Sequence, residues 1–367
     1  MNKVLVVGQT PPPIHGQAMM IQRLLDGKYQ NATLIHIRMA FSNELKDIGK
    51  VQVFKIIHLF PVIFKIFYHR IVNNAQVLYY PPSGANKIPI YRDMVILCLT
   101  RWMFKKTIFH FHASGICEIW AQLNALEKFF FQRAYFNCEV AIAPSSHVPP
   151  DSQFFKAKKC LTIPYGIEDN SLAATRTKDS LAPVKILFVG FLKETKGEFI
   201  LLEACKQLVE KKIPFLVDFA GKFASEEIKI RFFNVVEQYQ LNDYVNYIGQ
   251  ITGSLKNEIF ANADIFCFPS YYENEAFPIV ILEAMQFSLP IISTQWRGIP
   301  GMVEEGKNGY LVYIKDATAV AEKLQLLILD IELREKMGKE SRKNYLEKFT
   351  MEKFYNNMDV CFSEQTN

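Results

Sequence analysis

Short apolar, β-branched runs alternate with helix-length amphipathic stretches along most of the chain. The pattern predicts strands at 4–7, 33–37, 77–80, 107–111, 140–143 and 161–163, with helices between them. Such alternation predicts a parallel sheet with helices on both faces. At 169–183 the apolar period stops and Asn, Ser, Ala, Thr and Lys take over, which predicts a linker. The pattern then restarts, with strands at 184–189, 215–220, 245–248, 265–268, 290–293 and 310–312. Consecutive helices at 318–329, 331–347 and 351–362 close the chain. The expected organisation is two Rossmann-like domains, 1–170 and 183–345, followed by a terminal segment 346–367 that packs back toward the first domain.

In open parallel sheets, ligands bind at the carboxyl ends of strands, where helix N-termini offer free N–H groups to anions. Four such turns are unusual. The first, Gly8-Gln9-Thr10-Pro11-Pro12-Pro13-Ile14-His15-Gly16-Gln17, lacks the G-x-G-x-x-G of dinucleotide sites. Its prolines stiffen the loop, and Gly16 lets a ligand approach the backbone, although a rigid surface loop explains it equally well. The second is His110-Phe111-His112-Ala113-Ser114-Gly115, where alternation puts both histidines on one side of the strand end. A solitary histidine is more often structural than catalytic.

The third turn, Gly190 to Gly197, places Lys196 at the predicted start of a helix, where it adds charge to an anion site suited to a diphosphate. The fourth runs Ser270 to Met285. Pro278 suits a first helical turn, Glu275 lies in the turn before it, and Glu283 sits among Ile279, Val280, Ile281, Leu282, Ala284 and Met285. A carboxylate in such company is costly to bury without a hydrogen-bonding partner such as a ligand hydroxyl; the plain alternative is that Glu283 snorkels to solvent or meets a local arginine. The N–H groups of about Ala276, Phe277, Ile279 and Val280 face the same place.

Composition narrows the class. The 367 residues are 22% charged and 50% hydrophobic, an ordinary globular balance. The net charge of +5 is uneven: residues 1–180 hold 21 Lys+Arg against 11 Asp+Glu, and 181–367 hold 21 against 26. A basic half facing an anionic partner is expected. The seven cysteines are scattered without a C-x-x-C pair, which argues against a disulfide framework or zinc cluster and suits a cytoplasmic setting. The start reads as a buried strand, and no uninterrupted span of about 20 apolar residues is present.

Taken together, the motifs resemble those of retaining glycosyltransferases of family 4, which have the GT-B fold. Glu275-x7-Glu283 within Glu-Ala-Phe-Pro-Ile-Val-Ile-Leu-Glu-Ala-Met is similar to the family's E-x7-E signature. Ile163-Pro164-Tyr165-Gly166-Ile167, Val189-Gly190 through Lys196-Gly197, Gly298-Ile299-Pro300 and Glu304 through Val312 resemble further family segments in the family's order.

The resemblance implies two Rossmann-like domains facing across a cleft and transfer of a sugar from a UDP- or GDP-linked donor. It implies that Glu283 holds the ribose, that Glu275 and the N–H groups of Ala276 to Ile279 hold the donor sugar, and that Lys196 binds the diphosphate with help from the Gly16 loop. His112 matches the histidine that faces the donor sugar. It implies no cofactor and no metal on a D-x-D motif, and the sequence has none. Three positions depart from the family: Phe191 for an arginine, Gln17 for a glycine and Ala276 for a glycine. Lys193 or Lys222 is the expected substitute for the missing arginine.

The expected acceptor is a glycan or polyprenyl-diphosphate-linked oligosaccharide of the cell surface. Phe54, Ile57, Phe60, Phe64, Phe67 and Tyr68 lie among Lys55, Lys65 and Arg70, and 92–106 repeats this mixture, which suggests an anionic membrane surface. Ordinary sheet-covering helices are the plain alternative. The competing functions are a sugar-nucleotide epimerase of the same twin-domain fold and a non-catalytic carbohydrate- or membrane-binding protein. No recognised module supports nucleic-acid binding.

Overall fold

A computed structural model describes residues 1–12, 16–39, 59–173 and 182–363. It divides into two units, one of residues 1–165 with the last helix, the other of residues 166–350. Phe54, Lys55, Ile57 and most of the expected linker lie outside the described residues.

The first unit holds β1 (Asn2–Gly8), α1 (Gly16–Asp26), β2 (Ala32–Arg38), α2 (Leu59–Ile71), β3 (Val77–Tyr80) and α3 (Lys87–Thr100). There follow β4 (Lys106–His110), α4 (Ala125–Tyr135), β5 (Val140–Ala143), the single turn α5 (Asp151–Phe154) and β6 (Lys159–Thr162). The six strands are parallel in the order β2-β1-β3-β4-β5-β6. Val4, Leu5, Val6 and Val7 are fully buried in succession, as expected for a strand covered on both faces. Asn86 caps α3 through Ile88 N–H, and Asn124 with Glu127 forms a capping box on α4.

The second unit holds β7 (Val184–Val189), α6 (Glu198–Glu210), β8 (Phe215–Ala220), α7 (Glu226–Gln238), β9 (Val245–Gly249) and α8 (Gly253–Ala261). It continues with β10 (Ile265–Phe268), α9 (Ile279–Gln286), β11 (Ile291–Thr294), β12 (Gly309–Val312), α10 (Ala317–Leu329) and α11 (Ile331–Lys348). Its strands are parallel in the order β12-β11-β10-β7-β8-β9, the Rossmann arrangement, reversing direction of growth between β7 and β10.

The domain limits differ from those read in the sequence. Residues 166–171 are held by the second unit: Arg342 pairs with Asp169 at 2.5 Å, Gln286 accepts from Asn170 N–H, and Tyr345 donates to Ile167 C=O at 2.9 Å. The boundary therefore falls after Tyr165, and α11 runs past the limit expected at 345. The last helix, α12 (Met351–Ser363), packs in the first unit. Phe362 meets the Tyr29 ring edge-on at 5.2 Å, and Asp359 accepts from Asn31.

Candidate active site

The carboxyl ends of β7 and β10 lie side by side at the point where the second sheet's strand order reverses. Two loops leave there, 190–197 and 269–278. Lys196 comes from one and Glu275 from the other, with Nζ 2.6 Å from Oε2. Ser270 Oγ donates to the same oxygen at 2.9 Å, and the ammonium stands 4.4 Å from the Tyr272 ring centroid. The loops are joined by Tyr271 N–H donating to Thr195 C=O at 2.8 Å. They approach so closely at Gly197 that a Cβ would stand 2.2 Å from the Pro269 carbonyl oxygen, and φ is +92° there. That left-handed residue separates a 3-10 turn, Glu194–Lys196, from α6. Lys196 thus sits in the turn before the helix rather than on the helix start.

Glu283 lies on α9. Pro278 is the N-cap of this helix, one position before the expected first turn, and no side chain caps it. The first-turn N–H groups, those of Ile279 and Val280 among them, have no partner within the helix. Ala276 and Phe277 are buried, and the Phe277 ring meets Phe349 at 5.8 Å. The Phe277 ring is thus committed to the interior.

Lys256 on α8 reaches Glu283 Oε1 at 2.7 Å, while Oε2 is buried with no hydrogen-bond partner. Glu283 thus meets a local cation, a lysine in place of the arginine offered as its plain partner, on one oxygen only. At Phe191, which is 38% exposed, no charge replaces the family arginine. Lys193 Nζ lies 4.7 Å from the centroid of the same Tyr272 ring. Lys222 is tied to this loop by its carbonyl, which accepts from Leu192 N–H.

Sequence reasoning missed Ser270, Tyr272, Lys256 and Glu198. The last opens α6, is fully buried, and has neither carboxylate oxygen hydrogen-bonded. Burial above all, with Glu194 adding to it, pushes its carboxyl up to about 7. An acidic residue in a first helical turn is ordinary, so nothing in the pattern distinguishes this one.

In the first unit β4 ends at His110, and His112 follows two residues later with its ring 4.2 Å away. The same-side expectation holds. Both ring nitrogens of His112 meet tyrosine hydroxyls, Nδ1 with Tyr165 at 2.8 Å and Nε2 with Tyr79 at 3.3 Å. Tyr79 also lies 2.7 Å from His110 Nδ1. Burial pushes His110 down to about 3, so its ring is neutral near pH 7. A consistent arrangement runs one way: Tyr165 donates to His112, His112 to Tyr79, and Tyr79 to His110, whose buried Nε2 has no hydrogen-bond partner. Neither tyrosine was singled out for this role. Gly16 opens α1 and is exposed; a Cβ there would meet no heavy atom within 4 Å among the described residues.

Among the described residues no group of three or more His, Cys, Asp or Glu is placed to hold a metal. Residues 176–344 match the family described as Glycosyl transferases group 1. This match covers most of the second unit.

A relative in Escherichia coli (strain K12), WcaL, whose name marks it as a glycosyltransferase of colanic acid biosynthesis, is 33% identical over 43% of this chain and 39% of its own length. The O-antigen chain mannosyltransferase C of Escherichia coli is 26% identical over 67% of this chain and 65% of its own. The chain spans less than half the length of the first curated relatives it matches. Among solved structures, Anabaena Alr3699/HepE in complex with UDP superposes with a TM-score of 0.75 at 15% identity, covering 98% of this chain and 99% of that one. The fold is GT-B.

Proposed function

We propose that the protein transfers a sugar from a nucleoside-diphosphate sugar to a glycan or polyprenyl-diphosphate-linked acceptor, with retention at the anomeric carbon and without a metal. The observation that carries this reading is the arrangement at the β7/β10 switch point: a lysine–glutamate pair beside a helix N-terminus, with a second glutamate whose Oε2 is buried and unpartnered. Such a site suits an anion between Lys196 and the free N–H groups, and a hydroxyl pair on Glu283.

In the reaction the diphosphate departs as charge builds on its oxygens. Lys196 and the first-turn N–H groups of α9 stabilise that charge, Lys196 leaving its contact with Glu275 in part to do so. Glu275 then holds donor-sugar hydroxyls. Attack from the leaving-group face, with the departing phosphate accepting the acceptor's proton, needs no protein base and retains configuration. Glu275 is accordingly a positioning group in this scheme. His112 and Gly16 keep the donor-facing roles that the resemblance implies.

Support for a uridine donor comes from the solved relative that holds UDP, and support for a cell-surface glycan comes from relatives named for colanic acid and O-antigen synthesis. The reaction is placed on the cytoplasmic side, at the membrane that carries the acceptor.

The test is ligand-observed NMR of UDP, GDP, ADP and their sugars without metal, on wild type and Glu283→Ala. Binding of one nucleotide by wild type, weakened at least about tenfold in the variant, is expected from loss of two hydroxyl hydrogen bonds. Equal binding by both proteins would overturn the ribose assignment.

A further inference from the structure

Helices α2, α3 and α4 pack side by side on the first sheet, α3 touching both neighbours. Their outward positions are apolar. On α3 and the turn after it, Ile88, Tyr91, Val95, Leu99 and Trp102 are all exposed, a stripe at helical spacing with no outward charge among them. The stripe continues onto α2 through Phe60 and Phe64, each 71% exposed, and onto α4 through Phe129 and Phe130. A surface helix normally turns its polar side outward. These side chains together expose apolar area on the order of 1,000 Å², above the several hundred usual for a soluble monomer's largest patch.

Charge identifies what covers this face. Residues 59–105 contain one acidic side chain, Asp93, and it is fully buried under Tyr80, Tyr135 and Arg92. Not every basic residue of the stretch is available. Lys106 is buried and donates to Cys361 C=O, Arg101 donates to the carbonyls of Ala134 and Phe136, and Arg70 donates to Met103 C=O. Exposed at the edges remain Lys65, Lys105 and Arg133. Trp102 is 70% exposed, and its indole N–H already donates to Leu99 C=O at 2.8 Å, so its ring offers a partner an apolar surface. An apolar floor with exposed cations, free of exposed carboxylates on α2 and α3 and with the one carboxylate of α4, Glu127, accepting from the Tyr91 hydroxyl, matches the boundary of an anionic bilayer. No helix among the described residues is long and apolar enough to cross one.

We propose that the α2–α3–α4 face inserts Trp102, Leu99, Val95, Phe60 and Phe64 into the acyl boundary of an anionic membrane, lysines and arginine resting on the headgroups. This deepens the reading of a membrane-borne acceptor, yet it stands on the face alone.

The experiment places full-length protein with Trp120→Phe and Trp296→Phe, leaving Trp102 as the only tryptophan, on vesicles of phosphatidylcholine with or without phosphatidylglycerol. Emission from Trp102 is expected to shift blue and to be quenched by bromine-labelled acyl chains on the phosphatidylglycerol vesicles. Val95→Asp with Leu99→Asp, exposed positions at which circular dichroism should stay unchanged, should weaken binding at least tenfold. Lys65→Glu with Lys105→Glu should weaken it severalfold and remove its salt dependence.

Absence of quenching, or binding equal to wild type in the folded Val95→Asp, Leu99→Asp variant, would overturn the proposal. So would a concentration-dependent dimer that this variant dissociates, since the face would then belong to a second copy. Nucleotide binding by the same variants separates this failure from a failure of the donor site: loss of vesicle binding with nucleotide binding intact leaves the donor site standing.

Discussion

Both units are six-stranded parallel sheets, yet they hold their inner polar groups in different chemical states. The second unit gathers charged groups at its switch point: Lys196 on Glu275, Lys256 on Glu283, and nearby the carboxyl of Glu198 with no hydrogen-bond partner. The first unit strings hydrogen-bonded rings together, Tyr165, His112, Tyr79 and His110, at the end of β4. A charged cluster can meet a charged ligand by exchanging one partner for another. A hydrogen-bonded chain fixes orientation and tautomer, and burial keeps the His110 ring at its end uncharged.

The comparison breaks most visibly at Lys196. Replacing it with alanine removes the cation proposed to face the departing diphosphate and takes from Glu275, which is nearly buried, its ion-pair partner. The transfer rate should fall about 10²–10³-fold, the range for loss of one preorganised charge-stabilising donor. Adding Glu275→Gln should restore stability lost in Lys196→Ala but not the rate. Chemical denaturation alongside single-turnover kinetics separates the two. A rate within a few-fold of wild type in Lys196→Ala would show that the diphosphate is held elsewhere.

A second contrast lies in pH. Glu198 has its folded value raised to about 7 from 4.5, so the folded chain keeps a proton that the unfolded chain releases between those values. Its contribution to stability is present below 4.5 and is lost as pH rises through 7. At about 1.4 kcal/mol per unit, the cost above pH 7 is on the order of 3 kcal/mol.

His110 has its value lowered from 6.5 to about 3, so its contribution runs the other way. It is present above 6.5 and is lost as pH falls toward 3, at about 1.4 kcal/mol for each unit. Hydrogen exchange corrected for intrinsic rates should show β7 and α6 better protected at pH 5 than at pH 7.5 and β4 less so. Glu198→Gln should flatten the first trend and leave the second. If β7 and α6 keep their pH dependence in that variant, Glu198 is not its source.

The same contrast explains what could be read from the amino-acid order. The strands of both sheets were legible because a buried parallel strand needs a near-continuous apolar run, as Val4 to Val7 and 186–189 show. Glu283 stood out because a carboxylate among Ile, Val, Leu and Met contradicts its surroundings, and Glu275 stood out through its spacing from Glu283 in the E-x7-E resemblance. Glu198 was not, since acids are common in first turns and its burial is a tertiary fact. Tyr79 and Tyr165 were not legible as histidine partners, because a tyrosine in an apolar run matches a core residue in every local respect. The domain limit shifted for a similar reason: Asp169 and Asn170 look like linker until Arg342 and Gln286 are seen to hold them.

The mildest expected effect concerns that hydrogen-bonded chain. Tyr165→Phe deletes one hydroxyl and leaves His112 Nδ1 without its 2.8 Å partner, while Tyr79 still meets Nε2. The cost to stability should be about 1 kcal/mol, the usual net worth of one hydrogen bond. If the hydroxyl also sets the tautomer, the ¹⁵N shifts of His112 should move toward a mixture of tautomers in the variant, and those of His110 should follow, because Tyr79 has one proton and cannot donate to both rings. The rate should then fall less than tenfold, with nucleotide affinity preserved. Tyr79→Phe sharpens the point, because it removes a partner from both histidines and should disturb both sets of shifts. Unmoved His112 shifts in Tyr165→Phe would mean that Tyr79 alone fixes the ring. The chain would then be two separate contacts rather than one aligned relay.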